Sequence, residues 1–171
     1  MKVSLTSELC TRCGLCCDGS LFADAELASG EITELEVLGL EIEDGDKDER
    51  ALLLQPCTAL KEKRCSIYPY RPGCCRTFEC RLLQEVRKGE ISIEQAKEKI
   101  AGALKQVERV KWLLGQLGER DEGLSLKERV SEALAVSARS AHDIEIGRKQ
   151  AELRVAMRAM EKLIEETFLA S

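Results

Sequence analysis

The chain has 171 residues, 44% hydrophobic and 33% charged, with 31 Asp or Glu against 26 Lys or Arg. A formal net charge of −5 argues against general nucleic-acid binding, which runs on a basic excess. No apolar run approaches the ~20 residues that span a bilayer, and Met1 to Leu9 carries no apolar signal core, so a cytoplasmic protein without membrane contact is expected.

The first element is a cysteine run, Cys10-x2-Cys13-x2-Cys16-Cys17. Two-residue spacers let successive thiolates turn inward toward one metal or cluster, as in zinc knuckles and the opening of bacterial ferredoxin runs. Gly14 suits the tight turn this requires. Adjacent side chains point in different directions, so Cys16 and Cys17 are not expected to serve one metal equally. One can ligate while the other packs, bridges or serves a second centre.

Residues 18–50 follow as an acidic stretch, twelve Asp or Glu against Lys47 and Arg50. Leu35, Val37, Leu38, Leu40 and Ile42 interrupt it, so part of it packs. The run from Glu43 to Asp48 reads as a solvated loop, since it lacks the calcium-loop spacing that ends in a glutamate.

The second cluster holds Cys57, Cys65, Cys74, Cys75 and Cys80. Segment 57–81 carries six Lys or Arg and only Glu62 and Glu79 as acids, a local positive excess that offsets thiolate charge. Arg71 and Arg76 stand beside the ligand candidates and are read as supporting donors to a thiolate or carbonyl at the cofactor site. With nine cysteines in all and few aromatics, a reducing compartment points to metal or redox chemistry rather than disulfides. A bound metal would then supply folding energy that a small core lacks.

No cysteine follows Cys80, and the pattern becomes helical. Ser92-Ile93-Glu94-Gln95 is a capping box. After it Ile93, Ala96, Ile100, Ala103, Val107, Val110, Leu114 and Leu117 form a heptad seam, with Trp112 opposite. A second capping box, Ser125 to Glu128, opens a helix through Leu126, Val130, Ala133 and Ser137. A third stripe, Ile146, Leu153, Met157, Met160 and Ile164, is out of phase with it, so a break is expected between about Ser137 and Gly147. The fold class is mainly α. An irregular, metal-stabilised cysteine-rich domain over 1–89 precedes an antiparallel helical hairpin or three-helix region over 90–171.

Cys10-Thr-Arg-Cys-Gly-Leu-Cys-Cys-Asp-Gly-Ser-Leu-Phe, Pro56-Cys57, Cys65-Ser-Ile-Tyr-Pro-Tyr-Arg-Pro and Cys75-Arg-Thr-Phe-Glu-Cys80 together resemble the YkgJ-type family, also called the CxxCxxCC or zinc- or iron-chelating domain. The resemblance covers roughly residues 8 to 101. It implies metal ligation by Cys10, Cys13, Cys16, Cys17, Cys57, Cys65, Cys75 and Cys80, and leaves Cys74 as an extra. A related cysteine domain in flagellin lysine methylases implies an iron–sulfur cluster and S-adenosylmethionine-dependent methyl transfer.

The expected function is that of a thiolate protein holding an iron–sulfur cluster, [4Fe–4S] before others, or zinc. It would act as a binding module toward a protein partner, or as a homodimer through the C-terminal helices. An S-adenosylmethionine-dependent lysine methyltransferase and a metal trafficking or sensing protein are the alternatives, and an enzyme is the less favoured reading. The chain has no dinucleotide-binding glycine motif, and its first cysteine gap lacks the three residues usual in radical enzymes. His142, the single histidine, reads as a surface residue, Met157 and Met160 as core, and Tyr68 and Tyr70 as packing around the cysteines.

Overall fold

A computed structural model describes residues 5–44, 50–135 and 143–169. The longest helices are α5, Ile93–Gln116, and α7, Asp143–Phe168, joined through α6, Leu126–Ala135. Both predicted capping boxes form. Ser92 Oγ accepts from the Gln95 N–H while Gln95 Oε1 accepts from the Ser92 N–H. Glu128 likewise accepts from the Ser125 N–H, satisfying donors that a helix start leaves open.

The heptad seam is the buried face of α5: Ala96, Ala103, Val110 and Leu114 have no exposed surface, and Ile100 and Val107 almost none. Leu153, Met157, Met160 and Ile164 of α7 complete the same core. Gln116, Leu117 and Gly118 at the end of α5 line one cleft with Glu145, Ile146 and Lys149 at the start of α7, so α7 runs back along α5. A buried Gln150 amide donates to the Ala133 carbonyl and ties α7 to α6. Trp112 lies off the seam and is 60% exposed. His142 and most of the expected break lie outside the described residues, as does residue range 45–49 of the acidic loop. No helix among the described residues is long and apolar enough to cross a membrane.

Two short helices from the cysteine-bearing half sit on this scaffold. They are α1, Leu5–Cys13, and α4, Arg81–Arg87, and both pack against α5 and each other. Their Leu9, Leu82 and Leu83, with Leu15 just after α1, are buried in the main core. Fully burying a leucine is worth about 1.5–3 kcal/mol, so these four fasten the segment firmly.

Between α1 and α4 the chain builds a second, smaller layer. Strands β1 (Asp24–Glu26), β2 (Ile42–Glu43) and β3 (Leu52–Leu54) form an antiparallel sheet in the order β1-β3-β2, pairing Ala25 with Leu53 and Ile42 with Leu53. Helix α2, Ile32–Val37, contributes Leu35 to the core beneath it. Leu27, Leu35, Leu40, Leu53 and Ala59 make a separate small core. Val37 and Leu38 of the acidic stretch stay exposed. A hairpin of β4, Leu60–Lys61, and β5, Arg64–Cys65, turns through Glu62 and Lys63 at φ 47° and 67°, the left-handed pair that suits a two-residue turn. A 3-10 turn, Tyr68–Tyr70, and α3, Gly73–Thr77, complete the layer.

The two layers meet at Gly19. Its carbonyl accepts the Leu126 N–H at 2.9 Å, fixing the start of α6 on the loop behind the first cysteine run. Gly19 has φ +76°, and an added Cβ would lie 3.1 Å from Ser125 Cα and 3.2 Å from the Pro56 ring. Gly39 has the similar φ of +81° with nothing within 4 Å of such a Cβ. Gly39→Ala should therefore cost only the backbone strain of about 1 kcal/mol. Gly19→Ala should cost clearly more, because backbone and ring atoms must also move. Urea midpoints of the two variants check this, and equal losses would show that the Gly19 junction yields freely.

Candidate metal centre

All nine cysteines are free thiols; Cys10 is exposed and the other eight are half-buried. The fold distributes them over two neighbourhoods. Cys10 and Cys13 lie one turn apart on α1, and Cys80 is the residue that caps α4, which packs on α1. Cys13 and Cys80 both rest on the main core. Cys57, Cys65, Cys74 and Cys75 instead rest on the small core. The Cys57 N–H donates to the Cys17 carbonyl at 2.8 Å, and Cys65 pairs with Leu60 across the hairpin.

Gly14 makes the turn between Cys13 and Cys16. It has φ +73°, its N–H donates to the Cys10 carbonyl, and its carbonyl accepts from the Cys17 and Asp18 N–H groups. The expected tight turn is there, and the Lys63 stem lies against the open side of the glycine.

Several backbone N–H groups donate to sulfur. The Leu15 N–H reaches Cys13, those of Ala59 and Leu60 reach Cys57, and those of Leu82 and Leu83 reach Cys80. Such bonds favour the thiolate. Burial works against them and wins: it holds the thiols of Cys10, Cys57 and Cys80 above the ordinary range and pushes Cys13 and Cys17 up to about 12. Burial also raises Cys16 well above that range.

Charge on neighbouring sulfurs adds to burial, and it identifies the neighbours. Cys13 feels Cys80 and Cys10, and Cys16 feels Cys13, Cys17, Cys80 and Cys10. Cys17 feels Cys57 and Cys65 ahead of Cys10, while Cys57 feels Cys65. Cys74 and Cys75 share a hydrogen bond of 3.9 Å in which either sulfur can donate; as set, it raises Cys75 and lowers Cys74.

The two arginines singled out from the sequence take different positions. Arg71 lies with its guanidinium 3.7 Å over the Tyr68 ring, donates to the Tyr68 carbonyl, and lowers the Cys10 thiol electrostatically. Arg76 donates to the Arg71 carbonyl at 2.6 Å and to Glu31 at 3.4 Å, and Glu31 in turn accepts the Gly73 N–H at the start of α3. Arg76 thus braces the helix that carries Cys74 and Cys75. Tyr68 is partly covered by Arg71, but Tyr70 is 69% exposed rather than packed around the cysteines, because the short 3-10 turn holds it outward. Sequence reading missed Glu31 and Arg87. Arg87 pairs with Glu79 at 2.7 Å and acts on Cys10, a relation formed only when α4 packs on α1.

Among the described residues, no group of three or more His, Cys, Asp or Glu side chains is arranged to hold a metal ion as it stands. The donor chemistry nevertheless fits a thiophilic metal. Seven of the nine thiols, held above the ordinary range by burial or by a neighbouring sulfur, resist ionisation until a cation joins them.

Residues 9–103, more than half of the chain, match the family described as "CxxCxxCC: Putative zinc- or iron-chelating domain". No curated protein and no solved structure matched the chain.

Two outcomes follow from the geometry. Lysine's single ammonium cannot span both the Arg71 carbonyl and Glu31, so Arg76→Lys should shed metal roughly tenfold faster into a competing chelator. Lys63→Ala, in the exposed hairpin turn, should retain it like the parent; metal content after equal dialysis decides. The second outcome concerns pH. An unfolded thiol ionises near 9, whereas Cys13 and Cys17 keep their protons to about 12. In that window the metal-free fold binds more protons than the unfolded chain, so its stability must fall as pH rises from about 9 to 12. Cys13→Ser should flatten the fall in thermal midpoint, and an unchanged slope would remove Cys13 from the cause.

Proposed function

We propose, from the premise that this chain belongs to the CxxCxxCC family of metal-chelating domains, that it is a binding module built around thiolate metal coordination. Its ligands are Cys10, Cys13, Cys16, Cys17, Cys57, Cys65, Cys75 and Cys80. The metal is an iron–sulfur cluster or zinc, since tetrahedral sulfur serves both. The observation that carries this reading is the gathering of these thiols, from segments up to 70 residues apart, into neighbourhoods where each opposes ionisation of the next. Bound metal would supply the positive charge that lets them ionise together. Cys16 and Cys17 hold the middle of the site, while Arg71 and Arg76 steady its rim.

The loaded layer would present a surface to a protein partner, and exposed Trp112 on α5 and exposed Val155 on α7 are each available to a partner or another copy of the chain. The strands of the described residues are two or three residues long and antiparallel, unlike the parallel sheet of a dinucleotide-type site.

Purification without oxygen, elemental analysis and an absorption spectrum test the reading. Sulfide-to-iron absorption in the visible blue identifies a cluster, and colourless protein with bound zinc identifies the other metal. Chelation should lower the thermal midpoint by about 10 °C, equivalent to roughly 3 kcal/mol for a chain of this size, while the helical signal of α5 and α7 persists. A purified protein that carries neither metal and melts identically after chelation would end the proposal.

A further inference from the structure

Resting on that thiolate reading, we propose that the eight cysteines form two separate four-sulfur centres. Cys10, Cys13, Cys16 and Cys80 make one on the helical scaffold, Cys17, Cys57, Cys65 and Cys75 make the other on the small sheet layer, and the Cys16–Cys17 peptide is the bridge between them.

The first argument is anchorage. Cys10, Cys13 and Cys80 belong to α1 and the cap of α4, two helices packed together on α5. Leu15, with no exposed surface, pins the next residues to the same core. Cys57 just ahead of the hairpin, Cys65 in its second strand and Cys75 in α3 all pack on the other core. A single ion would have to draw sulfurs across the boundary between these two cores.

The second argument is the backbone at the boundary. Cys17 is tied to Cys57 by the 2.8 Å bond between the Cys57 N–H and the Cys17 carbonyl. Leu15 ties the preceding segment toward the main core, and its carbonyl also accepts the Leu21 N–H at 3.0 Å. Within this turn Leu15 is thus fastened to the main core and Cys17 to the segment of Cys57, with Cys16 between them.

The third argument is valence. A tetrahedral zinc is complete with four thiolates, and a [4Fe–4S] cluster is likewise held by four cysteines. Eight ligands exceed one centre and fill two. Cys74 stands beside the second centre as the hydrogen-bond partner of Cys75.

Cobalt(II) titration of the reduced, metal-stripped full chain tests this, because thiolate-to-cobalt absorption counts tetrahedral sites directly. The parent should saturate at two equivalents. Cys13→Ser and Cys65→Ser should each saturate at one, and the double variant should show no thiolate-to-cobalt band. Saturation of the parent at one equivalent, or an empty site in both single variants, would overturn the two-centre inference while leaving thiolate binding intact. No thiolate-to-cobalt band in the parent would remove the underlying metal-binding reading as well. Should either variant fail to fold, the parent's stoichiometry alone still decides.

Discussion

Helix α5 is the surface on which the cysteine layer is assembled. Its buried row alternates small and large side chains, from Ala96 through Ile100 and Ala103 to Val107 and Val110. Alanines at Ala96 and Ala103 leave room for a crossing helix to come close, and the larger residues between them interdigitate with it. Helix α7 takes part of this row and α1 and α4 take another. Because α1 ends in Cys13 and Cys80 caps α4, the seam also brings together the two ends of the excursion 14–79, which holds every cysteine except Cys10, Cys13 and Cys80. Without that apolar contact, Cys10 and Cys80 would be distant segments of an unstructured chain. Loop-closure entropy would then oppose any metal that tried to join them.

The seam cannot hold the excursion itself. Its strands are two or three residues long and its own core has five buried residues, too little apolar area for independent stability. What it has in excess is sulfur. Burial raises Cys16, Cys17 and Cys57, and ionised sulfurs beside them raise them further, so in the metal-free protein these three are tolerated as protonated side chains. A thiophilic cation reverses that balance: crowded thiolates, mutually repulsive alone, become the ligand set. The same crowding that penalises ionisation without metal therefore favours ligation with it.

How far the sequence revealed this follows from the range of the interactions. The capping boxes at Ser92 and Ser125 and the seam from Ala96 to Leu114 were legible because they depend on residues within one or two turns. The turn at Gly14 was legible for the same reason. The membership of α1 and α4 in the helical core was not, since Leu9, Leu15, Leu82 and Leu83 lack a long period of their own and are buried by elements far along the chain. The partners of Arg76 were hidden likewise: Glu31 lies 45 residues away, in a stretch whose other acids are largely exposed. Spacing could nominate the eight family cysteines, but not say which neighbour each meets. That depends on the backbone bond between Cys57 and Cys17, a contact of 40 residues' separation that no local pattern encodes.

The placement of charge completes the physical account. The chain is acidic overall, yet the segment through the second cysteine cluster is basic. In the fold that excess is spread over the sulfurs unevenly. Arg71 and Arg87 act on Cys10, the most exposed thiol, and Lys61 acts on Cys57. Four thiolates around a divalent ion leave a net charge of about −2, and a partly buried anion of that kind needs nearby cations more than it needs further ligands. Arginine suits the rim because it stays charged and is held in a fixed direction, here by the Tyr68 ring and the Tyr68 carbonyl. The Arg87–Glu79 pair sets a limit on this compensation, because Glu79 raises Cys10 and Cys80 even as Arg87 lowers Cys10. Glu79 thus offsets Arg87 at Cys10, while at Cys80 the Leu82 and Leu83 backbone groups lower a thiol that burial still holds up.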